Sequence, residues 1–104
     1  TDTIEKIVKL AKDNIEDKDM PIEIAYMELC QPDIPTVVKK LVDMGVDEIK
    51  VVPYFLFRGI HIKKDIPNEL EAALEGHDNV KITMGDTLGA DPRLAEILAD
   101  RIND

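Results

Sequence analysis

Apolar residues recur along this chain with two periods, and the switches between them divide it into alternating helices and strands. Ile4, Ile7, Val8, Ala11 and Ile15 fall at i, i+3, i+4, i+7 and i+11, which predicts an amphipathic helix. Asp2, with Glu5 three residues on, offers it a capping box. After the polar break Asp17-Lys18-Asp19, the run Ile22-Glu23-Ile24-Ala25-Tyr26-Met27 alternates and then turns apolar, predicting a strand over 22–27. Asp33 and Pro35 start a second helix whose buried face is Ile34, Val37, Val38, Leu41 and Val42, and Gly45 stops it. From Ile49 to Phe57 only Lys50 and Pro53 break a hydrophobic run, the pattern of a central strand buried on both faces and ending near the proline. Asp65 and Pro67 repeat the capped start, followed by Ile66, Leu70, Ala73 and Leu74 up to Gly76. Val80, Ile82 and Met84 alternate with polar residues as in a half-exposed strand. Asp91 and Pro92 open a last helix carried by Leu94, Ile97, Leu98 and Ile102.

The order is therefore α-β-α-β-α-β-α with short connections, which implies an α/β fold with a parallel sheet covered by helices on both faces. The chain has 104 residues and no linker or low-complexity stretch, so residues 1–104 are expected to form one domain. Hydrophobic residues at 44% and charged residues at 34% exclude disorder, collagen and coiled coil. No apolar run approaches the roughly 20 residues that a bilayer span needs, so no membrane partner is expected. The one cysteine, Cys30, excludes an internal disulfide framework and a Cys-x-x-Cys site. It reads as a small packed hydrophobe in a reducing, cytoplasmic setting. A formal charge of -9 with 4% aromatics argues against nucleic acid as a partner. An anionic small ligand stays open, because a cleft can be locally basic on an acidic protein.

In an open parallel sheet, ligands bind beyond the carboxyl ends of the strands. Three segments lie there: Met27 to Gln31, Phe55 to Lys64 and Gly85 to Ala90. The middle one is chemically the richest, with Phe55, Leu56 and Phe57 as an apolar wall, then Arg58, Gly59, Ile60, His61, Lys63 and Lys64. His61 is either a solvated or capping residue or, as a neutral imidazole, a metal ligand or a base acting near pH 7. Glu28, between Met27 and Leu29, either reaches solvent or is paired and functional, since burying a lone carboxylate is costly. His77, in the turn Gly76-His77-Asp78-Asn79, reads as surface. Gly85 to Ala90 contains neither a Walker pattern nor Gly-x-Gly-x-x-Gly.

Several strings occur here in a family-specific order: Met27-Glu28-Leu29, Gln31-Pro32-Asp33-Ile34-Pro35, Val51-Val52-Pro53-Tyr54-Phe55-Leu56, Gly59-Ile60-His61, Asp65-Ile66-Pro67 and Leu88-Gly89-Ala90-Asp91-Pro92-Arg93-Leu94. From about residue 20 to its end the chain resembles the small sirohydrochlorin chelatases of the CbiX/SirB type. The resemblance implies a chelatase-like three-layer α/β/α fold with flavodoxin-like strand order. It implies ATP-independent insertion of cobalt or nickel, or ferrous iron, into sirohydrochlorin on the way to cobalamin-type tetrapyrroles. No organic cofactor is implied, and the metal is a substrate. It places the family's second site histidine on His61 and its acidic site residue on Glu28, as catalytic and metal-handling groups. Phe55, Phe57, Gly59 and Ile60 would lie along the macrocycle, while Arg58, Lys63 and Lys64 would meet its peripheral carboxylates. Half-sized members act as homodimers with a cleft between subunits, so the same is expected here.

Two departures stand out. Family members open with a strand ending in Gly-His-Gly-Ser, whose histidine is the other principal site residue, and this chain begins at Thr1-Asp2-Thr3. In the family that strand lies between those expected at 22–27 and 48–53, and its removal would leave a gap of roughly 10 Å with unpaired backbone on both sides. The expectation is a further N-terminal stretch of roughly 10 to 20 residues in the natural protein, visible as extra intact mass. The second departure is Gln31, where relatives often carry Glu. Two rival readings remain: a non-catalytic module that binds a tetrapyrrole or metal, and a receiver-like or flavodoxin-like signalling domain. The second needs a phosphorylatable Asp at a central strand end, where this chain has Pro53-Tyr54-Phe55-Leu56.

Overall fold

In a computed structural model the described residues form four α-helices and a short parallel sheet: α1 (Asp2–Lys12), α2 (Ile34–Asp43), β1 (Glu48–Val51), α3 (Ile66–Ala73), β2 (Lys81–Met84) and α4 (Pro92–Asn103). A π-helical turn, His61–Asp65, runs directly into α3. The structure describes all residues except Thr1, Glu28, Leu29, Arg58 and Ile60, and it describes His61 and Ile62 by their backbone only.

β1 and β2 pair in parallel, with Glu48 opposite Lys81 and Val51 opposite Met84. Their connection through α3 is the expected helical crossover, which a parallel pair requires. Ile49 is buried and Val51, Ile82 and Met84 half-buried on one face, while Glu48, Lys50, Lys81 and Thr83 line the other and are exposed. β1 is thus buried on one face and not on both. The reason is local: the ladder takes in only Glu-Ile-Lys-Val, which alternates, and the continuous apolar run begins where the ladder ends.

The buried core is Ile34 and Val38 of α2, Ile49 of β1 and Ile66 and Leu70 of α3, with Met27, Leu41, Val42, Leu74, Ile82 and Met84 among the partly buried residues packed against it. α2 and α3 therefore cover the apolar face of the sheet. α1 and α4 bury none of their residues: Leu10 is 67% exposed, Leu98 62% and Ile102 74%. The radius of gyration is 15.3 Å, against about 13 Å for a closed domain of this length.

Residues 22–27, expected as a strand, alternate in burial but form no ladder among the described residues. Only an isolated parallel bridge joins Tyr26 to Asp33, with Tyr26 N–H donating to Pro32 O at 2.9 Å. The segment carries the right side-chain pattern, but no described strand lies beside it to supply the ladder.

The helix ends follow the sequence with two exceptions. Asp33 and Asp91 sit in extended N-cap geometry and accept hydrogen bonds from Thr36 N–H and Arg93 N–H. Gly45 and Gly76, at φ +88° and +85°, end α2 and α3. Asp65 is itself helical, at φ -66° and ψ -48°, because the π-turn has already begun the helix four residues earlier. Asp2 likewise lies inside α1 rather than capping it from outside.

The cap carboxylates carry a pH dependence. The Thr36 amide holds Asp33 below its ordinary value, and the Arg93 guanidinium and amide hold Asp91 well below it. A carboxyl depressed on folding contributes stability above the unfolded value, 3.8, and loses it as pH falls through the folded one. Thermal melts should therefore show Asp33→Ala and Asp91→Ala melting below the parent at pH 7, with the gap shrinking under strong acid. A gap that persists unchanged at pH 2 would mean that the caps act through something other than charge.

Candidate functional site

The carboxyl ends of the strands are built by two loops that fasten to each other. β1 stops at Val51, and the chain continues through Val52, the buried Pro53, then Tyr54, Phe55, Leu56 and Phe57. Proline has no N–H for a ladder, so the backbone leaves the sheet here. Gly85 N–H still donates to Val51 O at 2.7 Å, extending the pairing by one residue beyond β2. Leu88 N–H then donates to Phe55 O at 2.9 Å, pinning the loop after β2 against the loop after β1.

That clamp holds an apolar surface in solvent. Leu56 is 60% exposed and Phe57 74% exposed, with Tyr54 and Phe55 also open. Burying such groups in an interior elsewhere would be favourable, so an exposed run of this size marks a contact surface. The Phe57 ring lies near Gly59, with its Cε2 3.8 Å from where a Cβ on that glycine would stand. Lys63 N–H donates to Gly59 O at 3.1 Å, which winds the chain into the π-turn. Lys63 and Lys64 are exposed in that turn.

The structure thus brings Phe55, Phe57, Gly59, Lys63 and Lys64 onto one continuous segment, with the His61 backbone at the start of the turn. Glu28, Arg58 and Ile60 lie outside the described residues, and so does the His61 side chain. Among the described residues no group of three His, Cys, Asp or Glu side chains is placed to hold a metal ion. Cys30 is exposed and free rather than packed, because the chain at 30–32 turns outward before α2. Gln31 is engaged locally: its Nε2 donates to Asp33 Oδ2 at 3.3 Å and its Oε1 accepts from Asp33 N–H at 3.2 Å.

Two features were not legible from residue types. The tie between Leu88 and Phe55 is a backbone bond and leaves no trace in the sequence. A shallow groove of about 770 Å³ runs along the second half of α3 to the start of β2, lined by Asn68, Glu71, Leu74, Glu75, His77 and Val80 among others. It lies at the amino ends of the strands, and none of the sequence-predicted site residues line it. His77 is exposed there, as expected of a turn residue.

The CbiX family model matches residues 1–104. The chain belongs to the CbiX family. Among its relatives is the sirohydrochlorin cobaltochelatase of Methanopyrus kandleri, 39% identical over 80% of this chain and 72% of that protein. The cobaltochelatase of Methanothermobacter thermautotrophicus is 36% identical over 84% of this chain and 71% of that protein. The sirohydrochlorin ferrochelatase of Priestia megaterium is 34% identical over 83% of this chain, which spans only 33% of that longer protein. Among solved structures, a CbiX protein from Marinobacter aquaeolei VT8 superposes with a TM-score of 0.72 at 34% identity, over 98% of this chain and 79% of that one. The chelatase SirB from Bacillus subtilis subspecies spizizenii, in complex with cobalt, gives a TM-score of 0.83 at 28% identity, over 97% of this chain and 42% of that one. These family structures bear out the α/β class and the open parallel sheet. Among the described residues no helix is long and apolar enough to cross a membrane.

Proposed function

We propose that this protein inserts a divalent metal into sirohydrochlorin. The observation that carries the reading is the match of the whole chain to the CbiX family, whose curated relatives are named for this reaction with cobalt or iron. The geometry supports it: an exposed aromatic wall followed by a basic turn suits a flat macrocycle with an anionic rim. Cobalt and nickel are the favoured metals, with ferrous iron the third, and the reaction runs without ATP.

The residue roles follow from the chemistry. Insertion requires loss of two pyrrole N–H protons while a hydrated cation is delivered. His61 as neutral imidazole holds the metal or takes a proton, and Glu28 balances its charge or passes protons on. Phe55, Phe57, Gly59 and Ile60 lie along the macrocycle. Arg58, Lys63 and Lys64 pair with its carboxylates.

The deciding experiment is the visible absorption of sirohydrochlorin under anaerobic conditions with Co²⁺, Ni²⁺ or Fe²⁺, with and without the protein. Acceleration over the protein-free rate supports the chelatase and ranks its metals. A bound-ligand spectrum with no acceleration would instead establish a tetrapyrrole-binding module.

We also propose that residues 1–104 act as one domain of a cytoplasmic homodimer. The exposed apolar side chains of α4, Ile97, Leu98 and Ile102, favour burial between copies. Sedimentation equilibrium should give twice the chain mass, and a monomer across the micromolar range would overturn the dimer.

A further inference from the structure

Lys50 stands on the open face of the sheet, opposite Thr83 in the ladder. Side chains alternate along a strand, so Gly85 is the next position after Thr83 on that same face, one step closer to the carboxyl ends. A Cβ on Gly85 would stand 3.3 Å from Lys50 Cε, 3.4 Å from Val51 O and 3.5 Å from Val52 Cγ2. The lysine stem therefore runs forward along the sheet and crosses Gly85, in the trough left by the missing Cβ. Gly85 does not need a positive φ, and its part here is to leave room. The ammonium is thereby carried toward the two loops that the Leu88–Phe55 hydrogen bond fastens together.

Lys50 is also uncommitted. Lys39 is paired with Asp43 at 2.7 Å, Lys40 with Glu23 at 2.9 Å, and Lys18 caps the end of α1 through Lys12 O and Asp13 O. Lys50 makes no ion pair or hydrogen bond with a described residue, although the chain carries 22 acidic side chains. An unpaired cation directed to a ligand-binding end of an acidic protein is placed to receive an anion.

We infer that Lys50 is a substrate-binding residue whose ammonium receives a peripheral carboxylate of the macrocycle from the sheet side, in addition to the basic turn at Lys63 and Lys64. The inference rests on the chelatase reading and adds a contact to it. Two groups of cations on different elements would fix the rotation of the ring, which the apolar wall cannot do because it is blind to position around the rim.

The test is equilibrium binding of metal-free sirohydrochlorin, followed by absorbance, to the parent protein, Lys50→Gln and Lys50→Arg. Charge-assisted hydrogen bonds of this kind predict roughly tenfold weaker binding for Lys50→Gln. Lys50→Arg should recover most of it, and added salt should weaken the parent more than Lys50→Gln. Equal melting temperatures for the three proteins would separate a lost contact from a lost fold. If the parent binds and Lys50→Gln binds equally well, the Lys50 assignment fails and the chelatase reading stands. If the parent itself does not bind sirohydrochlorin, the chelatase reading fails and takes this one with it.

Discussion

Replacing His61 by alanine should reduce metal insertion to the protein-free rate while leaving the fold intact. The histidine opens a π-helical turn whose backbone is set by Lys63 N–H to Gly59 O and by the run into α3. Those bonds do not depend on the imidazole, and alanine is compatible with helical backbone. The chemistry does depend on it. A group that accepts protons near pH 7 or delivers a cation is worth roughly 10²–10⁴-fold in rate. The assay is anaerobic and spectrophotometric, at saturating macrocycle, so that a fall in kcat is not mistaken for weaker binding. Retention of more than half the parental rate would remove His61 from the reaction and shift attention to Glu28. His61→Gln, whose amide oxygen can still ligate a cation but which cannot accept a proton at neutral pH, distinguishes metal delivery from proton transfer.

The second large effect concerns stability. Leu70 is 4% exposed at the centre of the α3 face that meets α2 and the sheet. Large-to-small changes at such a position cost about 2–5 kcal/mol, the removed surface and the residual cavity both contributing. Domains of this size are stable by only about 5–15 kcal/mol, so Leu70→Ala removes a large share. The core makes the effect sharper, since only six hydrophobic side chains are buried among the described residues. Denaturant unfolding should show the midpoint falling with an unchanged slope. A loss below 1 kcal/mol would mean that α3 is not anchored through this residue. Exposed Leu98→Ala, by contrast, should be near neutral in the monomer.

Much of this architecture is visible in the residues because the local signals agree with one another. The cap-and-proline starts at Asp33 and Asp91 and the glycine stops at Gly45 and Gly76 fix α2, α3 and α4 closely. The alternation Lys81-Ile82-Thr83-Met84 predicts a one-sided strand, and that is what β2 is. The errors have a common cause, in that periodicity reports which face a segment could bury and not whether anything covers it. The stripe Ile4, Ile7, Val8 and Ala11 makes α1 a helix yet leaves it without a buried residue. Residues 22–27 alternate like a strand yet lack a ladder. The site was legible as a location, from strand ends and residue types. Its internal ties were not, because Leu88 to Phe55 and Lys50 over Gly85 depend on register across 30 or more residues of sequence.

The helices that bury nothing have a consequence for how this molecule would melt. α1 and α4 contain 11 and 12 residues, whereas α2 and α3, which enclose the core, contain 10 and 8. More than half of the α-helical residues therefore lie in segments that can fray without opening the interior. In the monomer their amides should exchange with deuterium in a fast tier, and those of Val38, Ile49 and Leu70 in a slow one. Much of the optical signal of secondary structure would then come from the two end helices, and the free energy of the folded state from the elements between them.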